Sequence, residues 1–307
     1  MSKVSIIVPS YNHGEFLFDR LYSILNQTYK DWEVIIIDDQ STDNSVWIIS
    51  DFLAKNADFR VKYFIINDKN SGTGYSSWQK GISLAETEYI WIAETDDYSE
   101  PTFLEELVNI LNVNQETSLA FSGSHYVENG VIIYDSANRT KDLNTSIGEY
   151  KIIDKELFFE KMPFDTYITN GSSVVFRKPK FEIPSELFTN RLCSDLFLWS
   201  YLLENSSFAF LNKNLNFFRR HEGSTSSYLQ KNKLETVYHE KANYLNYFTQ
   251  TTKYDQFIEH YIKNYIWINK KDFLNTSSIQ KIQSDKKLKT LYFYKLLQFI
   301  ISKILKK

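Results

Sequence analysis

Four short runs rich in β-branched residues, each followed by a polar turn and then by apolar residues at helical spacing, constrain this chain more than any other feature. Val4–Val8 ("VSIIV") is such a run, the mark of a strand buried on both faces of a parallel sheet. The turn Pro9–Gly14 breaks it, and Phe16, Leu17, Leu21, Ile24 and Leu25 then recur as on one helix face. A second strand, Glu33–Ile37, ends in Asp38 and Asp39, with a helix from about residue 44 to 55. A third, Val61–Asn67, leads through Asn70–Gly74 to a helix reaching Ala85. A fourth begins at Tyr89 and runs out into Glu94, Asp96 and Asp97 before a helix over Pro101–Val113. Strands alternating with helices predict an α/β fold, a mostly parallel sheet flanked by helices, whose ligands bind beyond the carboxyl ends of the strands. Ser10, Tyr11 and Asn12, the pair Asp38–Asp39, Asn70–Gly74 and Glu94–Asp97 all fall at those ends and are expected to converge on one crevice.

The chemistry of the fourth turn has two readings. Clustered carboxylates suit a hard divalent cation such as Mg2+ or Mn2+, which takes oxygen ligands and holds phosphates beside them. The same acids could instead cap the following helix in a solvated turn. On a continuing strand Glu94 and Asp96 would share one side and Asp97 would face the other. The first turn contains only Gly14, so it lacks the G-x-G-x-x-G of dinucleotide-binding folds, and no Walker A loop occurs; hydride transfer and P-loop hydrolysis drop out.

Composition narrows the setting. The 307 residues are 43% apolar and 24% charged, an ordinary soluble balance able to bury a large core. Cys193 is the only cysteine, which excludes a disulfide framework or thiolate metal site and accords with a reducing cytoplasm. The apolar run at the N-terminus is too short for a signal peptide, and no stretch reaches the roughly 18 apolar residues of a membrane span. Residues 280–307 hold eight lysines and one acid, a local +7 that leaves −10 on the rest of a chain whose net charge is −3. A basic tail on an acidic body points to an anionic surface and not to nucleic acid.

Taken together, "VSIIVPSYN" (4–12), "NQT" (26–28), "VIIIDDQSTD" (34–43), "NSG" (70–72) and "IWIAETDD" (90–97) resemble, in order and spacing, the inverting family 2 glycosyltransferases of the GT-A fold, of the bacterial surface-polysaccharide type. The resemblance is close over about 115 residues and weaker to about residue 227. It implies transfer of a sugar from a nucleotide donor, usually a uridine diphosphate sugar, with Mn2+ or Mg2+ on the diphosphate. It implies a donor pocket lined by Pro9, Ser10, Tyr11, Asn12, Asp39, Asn70, Gly72 and Thr95, with Asp39 on the uracil and Asp96 as the metal-binding second acid of a D-x-D element. The first acid of that element is Glu94 here, a longer arm still able to reach a ribose hydroxyl or metal-bound water. The family's A-R-N-x-G is replaced by Ser77–Gly81 ("SWQKG"), which removes an arginine near the diphosphate; Lys80 is the residue that would compensate. A nucleotidyltransferase would need a Gly-rich, basic turn after the first strand, which Pro9–Gly14 does not supply. A nucleotide-sugar-binding scaffold without turnover is the other alternative.

Beyond Ser118 the pattern changes. Ser118–Tyr126 and Val131–Tyr134 predict a hairpin turned at Asn129-Gly130. Residues 135–150 read as a polar mobile loop over the site, and Thr169–Phe176 as a strand. A helix opens near Cys193 with Asp195 in its first turn, a position the helix dipole alone would favour. The resemblance instead implies that Asp195 is the acceptor-side base. His221, in "FFRRHEGSTS" (217–226), resembles the family's loop histidine and is a candidate for metal or diphosphate, with Arg219 or Arg220 for leaving-group charge. His13, at the first crevice turn, is the other histidine placed to matter.

From residue 231 the chain is Tyr-rich and helical, over about 231–250, 254–270, 276–283 and 286–305, and reads as an accessory bundle or homodimer contact. The last helix, with Leu288, Leu291, Tyr292, Leu296, Phe299, Ile300 and Leu305 among lysines, either lies on an anionic membrane or caps the bundle. The expected organisation is a GT-A domain over 1–227, with a nucleotide-binding half 1–115 and an acceptor half 116–227, and a helical extension over 228–307. Its partners would be a nucleotide sugar and a saccharide or lipid-linked acceptor at the cytoplasmic face of the membrane.

Overall fold

A computed structural model describes residues 4–221, 234–248, 253–267 and 286–305. The aliphatic runs become the inner strands. β1 (Val4–Ser10) pairs in parallel with β2 (Trp32–Asp38) and with β4 (Tyr89–Ile92), in register Val4 to Trp32 and Val4 to Tyr89. β3 (Val61–Ile66) adds outside β2. Helices α1 (Gly14–Leu25), α2 (Ser45–Lys55), α3 (Gly74–Leu84) and α4 (Phe103–Val113) are the connections. Both faces of the strands are thereby covered: Val34–Ile37 and Tyr89–Ile92 are all buried. Each aliphatic side chain so buried contributes roughly 1.5–3 kcal/mol. Helix α1 starts tight against the β2–α2 turn, because the Gly14 N–H donates to Asp43 Oδ2 at 3.0 Å. A Cβ on Gly14 would lie 2.1 Å from Asn44 Oδ1, so a larger residue there would have to displace the exposed Asn44 side chain.

The second half completes one ten-stranded sheet, in which the order β3-β2-β1-β4 continues through β9 (Val174–Arg177), β6 (Thr117–Glu128) and β10 (Ser207–Arg220) to β5 (Tyr98–Ser99). β6 and β10 run parallel, and β9 lies antiparallel between β4 and β6. β7 (Val131–Asp135) pairs with β6 across Asn129 (φ 50°) and Gly130 (φ 77°), the two-residue turn that Asn-Gly predicts. β8 (Tyr150–Ile153) pairs with β10. Between β7 and β8 stand a short helix α5 (Ala137–Thr140) and a 3-10 turn; α6 (Lys155–Lys161) follows β8, and α7 (Ser194–Leu203) precedes β10.

Three expectations need correction. The fourth strand stops at Ile92, and a turn closed by the Asp97 N–H on the Glu94 carbonyl (3.2 Å) carries the acids; β5 (Tyr98–Ser99) then pairs with β10. The acids therefore sit on a turn and not on a continuing strand, although Asp97 is still buried while Glu94 and Asp96 are half-buried. Residues 135–150 are not a featureless loop, since buried Ser136, Thr140 and Leu143 anchor their own helical turns. Residues 169–173 are not strand either, because a 3-10 turn (Gly171–Ser173) precedes β9.

The chain divides into two compact units, Met1–Met162 with Thr166–His221, and Pro163–Asp165 with Glu222–Lys307. The second contains α8 (Leu234–Tyr247), α9 (Tyr254–Tyr261) continuing as a π-turn (Ile262–Ile266), and α10 (Lys286–Ile304). Tyr238, Leu245, Phe257, Tyr261, Tyr292 and Leu296 form its core, as the helical spacing predicts. The helix expected at 276–283 and the loop residues 222–226 lie outside the described residues.

Candidate active site

The order of the sheet reverses at β1, with β2 on one side and β4 on the other, and the carboxyl ends there frame the crevice. On the β2 side the polar side chains mostly hold one another. Ser10 Oγ donates to Asp38 Oδ2 (2.9 Å), which also receives Ser41 Oγ (2.6 Å). Asp39, 4% exposed, accepts from Asn67 Nδ2 (2.8 Å), Ser71 N–H (2.9 Å) and Ser71 Oγ (2.7 Å), and so fastens the glycine loop to β2. Asn70 Nδ2 reaches the Asp39 carbonyl at 3.0 Å, and Gly72 turns with φ 84°. Asn12 sits at φ 51° with its Oδ1 accepting the Thr42 N–H (2.7 Å). Tyr11 is exposed beside half-buried Pro9. Ser10, 2% exposed, is thus a support for the wall and not part of its surface.

Lys80 is not aimed at the acid turn. Its Nζ donates to Asn67 Oδ1 (2.7 Å), which ties it to the Asp39 side. It also lines a separate cavity of about 520 Å³ with Lys178, Lys180 and Phe181, to which none of Glu94–Asp97 contributes.

At the β4 end the acids take three different roles. Asp97 is fully buried and structural: it receives the Asn170 side-chain amide and the Arg219 backbone N–H (3.0 Å). Burial and then Asp96 push its pKa up to about 7, against Arg20 and hydrogen bonds from the Arg219 N–H and Ser172. Asp96 faces two imidazoles. One oxygen lies 3.2 Å from His221 Nε2, and donor atoms of His13, Asp96 and His221 all fall within 4.8 Å of one another. Burial opposes its charge, but the His221 hydrogen bond and both imidazoles hold its pKa below the usual carboxylate range. His13 itself is lowered by burial, so its ring is neutral near pH 7. This set of two imidazoles and one carboxylate fits a divalent cation.

Glu94 points the other way. Its Oε2 would lie 3.5 Å from a Cβ on Gly171, and its pKa is raised well above the ordinary value by burial first, then by Asp97, Asp96 and Asp195. Asp195 stands half-buried in the first turn of α7, and the single proton of the Tyr75 hydroxyl is shared between its Oδ1 and the Leu192 carbonyl, each at 3.3 Å. The crevice therefore holds a cluster of Asp96 with His13 and His221, and Glu94 feels the charge of both Asp96 and Asp195.

The arginines diverge. Arg219 is sandwiched by Phe16 and Tyr98, ion-paired with Asp19 (2.7 Å) and bonded to the Asp96 carbonyl (3.1 Å), so it clamps the acid turn. Arg220, on the opposite face of β10, donates to Tyr134 on β7 (2.8 Å) and is not brought to the acids. Thr95, 1% exposed, is likewise behind the surface.

Several site residues escaped the sequence reading. Arg20 is completely buried under the turn, with Nε on the Glu94 carbonyl (2.8 Å) and its guanidinium over Trp91. Burial lowers its pKa to about 10 while Asp97, Asp96 and Glu94 raise it, which makes Arg20 the internal counter-charge of the cluster. The available signal was its place in the apolar stripe of α1, three residues after Leu17 and four before Ile24. Tyr75 and Asn170 carried no such signal; only the packing of α3 and β9 brings them in.

Residues 5–180 match the family model described as "Glycosyl transferase family 2". The chain is 29% identical over 229 residues to the glycosyltransferase GlyG of Streptococcus pneumoniae serotype 4, covering 72% of each protein. It is 30% identical over 195 residues to the poly(ribitol-phosphate) beta-N-acetylglucosaminyltransferase TarP of Staphylococcus aureus, covering 62% of this chain and 57% of TarP. Among solved structures, S. aureus TarS 1–349 in complex with UDP-GlcNAc is similar with TM-score 0.60 at 17% identity, over 97% of this chain and 80% of that one. The mannosyltransferase PcManGT of Pyrobaculum calidifontis, in complex with GDP-Man and Mn2+, gives TM-score 0.51 at 15% identity, over 86% and 65%. At these identities the structural likeness speaks for the fold.

Proposed function

The chain belongs to glycosyl transferase family 2 and is a glycosyltransferase, and on that premise we propose that it is metal-dependent and inverting, moving a sugar from a uridine diphosphate donor to a saccharide or lipid-linked acceptor of a surface polysaccharide. The observation that carries this reading is the crevice cluster, with Asp96 and His221 facing each other at 3.2 Å and Glu94 under the charge of both Asp96 and Asp195. Asp96 and His221 would hold the cation, Mn2+ or Mg2+, which would supply neutralisation of charge on the diphosphate. Tyr11, Asn12 and Pro9 wall the nucleoside, and Asp39 with Asn70 and Gly72 shapes its floor. Asp195 takes the proton of the acceptor hydroxyl as that oxygen bonds to the anomeric carbon and the bond to the donor phosphate breaks. A single displacement of this kind inverts the anomeric centre and needs no covalent enzyme intermediate. Tyr75, donating to Oδ1, keeps the carboxylate oriented for that proton. The choice of uridine draws on TarS, whose structures hold UDP and UDP-GlcNAc.

The test is a thermal-shift panel of nucleoside diphosphates and their sugars, each with and without Mn2+. A uridine diphosphate sugar should raise the melting temperature only with metal, because a ligand that binds the folded state alone stabilises it by mass action. A guanosine or cytidine preference would overturn the donor, and no response to any nucleotide would remove the reading.

No helix among the described residues is long and apolar enough to cross a membrane. α10 nevertheless has two apolar sides. Tyr292 and Leu296 are buried in the bundle, with Leu291, Phe299 and Ile300 packed against it, whereas Phe293, Leu297, Ile301 and Ile304 are exposed. A helix with a second apolar side left exposed asks for a second cover. With eight lysines and one acid over residues 280–307, the cover proposed is the anionic inner face of the cell membrane. The protein should sediment with vesicles containing phosphatidylglycerol at low salt and stay in solution with phosphatidylcholine alone. Leu297→Glu with Ile301→Glu should abolish that binding. Self-association through this face, seen as dimers that the same double variant dissolves, would replace the membrane with a second copy.

A further inference from the structure

The first crevice turn ends at His13, and this residue is built to do more than start a helix. Its carbonyl accepts the N–H groups of Phe16 (2.9 Å) and Leu17 (3.2 Å), so the first turn of α1 fixes its backbone. Its ring packs edge-on to Phe16 (5.9 Å) and to His221 (5.6 Å between centroids). Its Nδ1 lies 2.7 Å from Thr95 Oγ1, and that hydroxyl donates to the Pro9 carbonyl at 3.1 Å. A threonine hydroxyl has one proton. Assigning that proton to Pro9 makes Thr95 the acceptor from His13, with the hydrogen on Nδ1 and the lone pair on Nε2.

A ligating histidine ordinarily has this arrangement, its other ring N–H given to an oxygen that sets tautomer and orientation. The donor atoms of His13, Asp96 and His221 already lie within 4.8 Å of one another. We propose that His13 is a third protein ligand, completing with Asp96 and His221 a two-imidazole, one-carboxylate set held in place by the His13–Thr95–Pro9 relay. The proposal rests on the metal dependence put forward above and goes further by naming the class of ion. Mg2+ favours all-oxygen surroundings and keeps its waters, whereas imidazole suits borderline ions. This set therefore selects Mn2+, Fe2+ or Co2+ over Mg2+. Thr95, too buried to touch the donor, becomes a positioning residue for the cation.

The experiment is Mn2+ binding to the whole protein without nucleotide. Loss of the free-ion electron paramagnetic resonance signal gives affinity, and pulsed measurements count coordinated imidazole nitrogens. The wild type should show two. His13→Gln should show one, with affinity down at least about tenfold, and Thr95→Val should keep two while losing about 10- to 100-fold. Mg2+ should displace Mn2+ only at about 100-fold excess or more. One imidazole in the wild type, with His13→Gln unchanged in affinity and Asp96→Asn unable to bind, would overturn the role of His13 and leave the metal-dependent reading standing. No Mn2+ binding by the wild type would end both. The nitrogen count is made on the unmutated protein, so the conclusion does not hang on how a variant folds.

Discussion

Asp195→Asn is expected to lower the transfer rate by about 10²- to 10⁴-fold, the range that a positioned general base supplies, while donor affinity stays within about twofold of wild type. Asparagine keeps the shape of the side chain in the first turn of α7 and can still meet the Tyr75 hydroxyl, so the local fold is retained. What it loses is the ability to accept a proton. Losing a carboxylate at a helix N-terminus costs only about 0.3–1 kcal/mol of stability. Steady-state kinetics beside calorimetric titration of the donor separate the two roles. Equal losses in turnover and donor binding would make Asp195 a structural cap, the alternative that its place in the helix also allows.

Asp96→Asn should act on the cation instead. An amide cannot replace the carboxylate that faces His221 and His13, so metal-assisted donor binding should fall by about 100-fold or more, equivalent to some 2.7 kcal/mol. Binding in EDTA, already weak, should hardly change. The matched substitution Asp97→Asn should instead disturb the fold, because Asp97 is tied to Asn170 and to the Arg219 N–H inside the protein. Two neighbouring acids thus predict opposite phenotypes. Unaltered calorimetric donor affinity in Asp96→Asn with Mn2+ present would sink the assignment.

The sheet was legible because its signal is local and strong: runs such as "VIII" at 34–37 bury on both faces, and the Asn129-Gly130 pair dictates its own turn. The family resemblance singled out Asp96 and His221, and their contact at 3.2 Å, made where the chain leaves β4 and β10, is a long-range product that no spacing reveals. The misreadings share one cause. Extrapolating strand alternation past Ile92 grouped Glu94 with Asp96, whereas the turn takes Asp96 to His221 and Glu94 towards Gly171; the opposite, buried place of Asp97 came out as the alternation had it. Ser10, Thr95 and Arg220 sit in matching motifs, yet packing points them to Asp38, His13 and Tyr134. Arg20 shows the reverse case, a charged residue in an apolar stripe whose importance appears only with three carboxylates above it.

The most direct test is turnover of a uridine diphosphate sugar by the purified protein, with Mn2+ or with EDTA, following nucleotide release and the anomeric configuration of the product by nuclear magnetic resonance. The account predicts release of uridine diphosphate only with metal, and a product whose anomeric configuration is opposite to that of the donor. Retention of configuration, or turnover equally fast in EDTA, would contradict it.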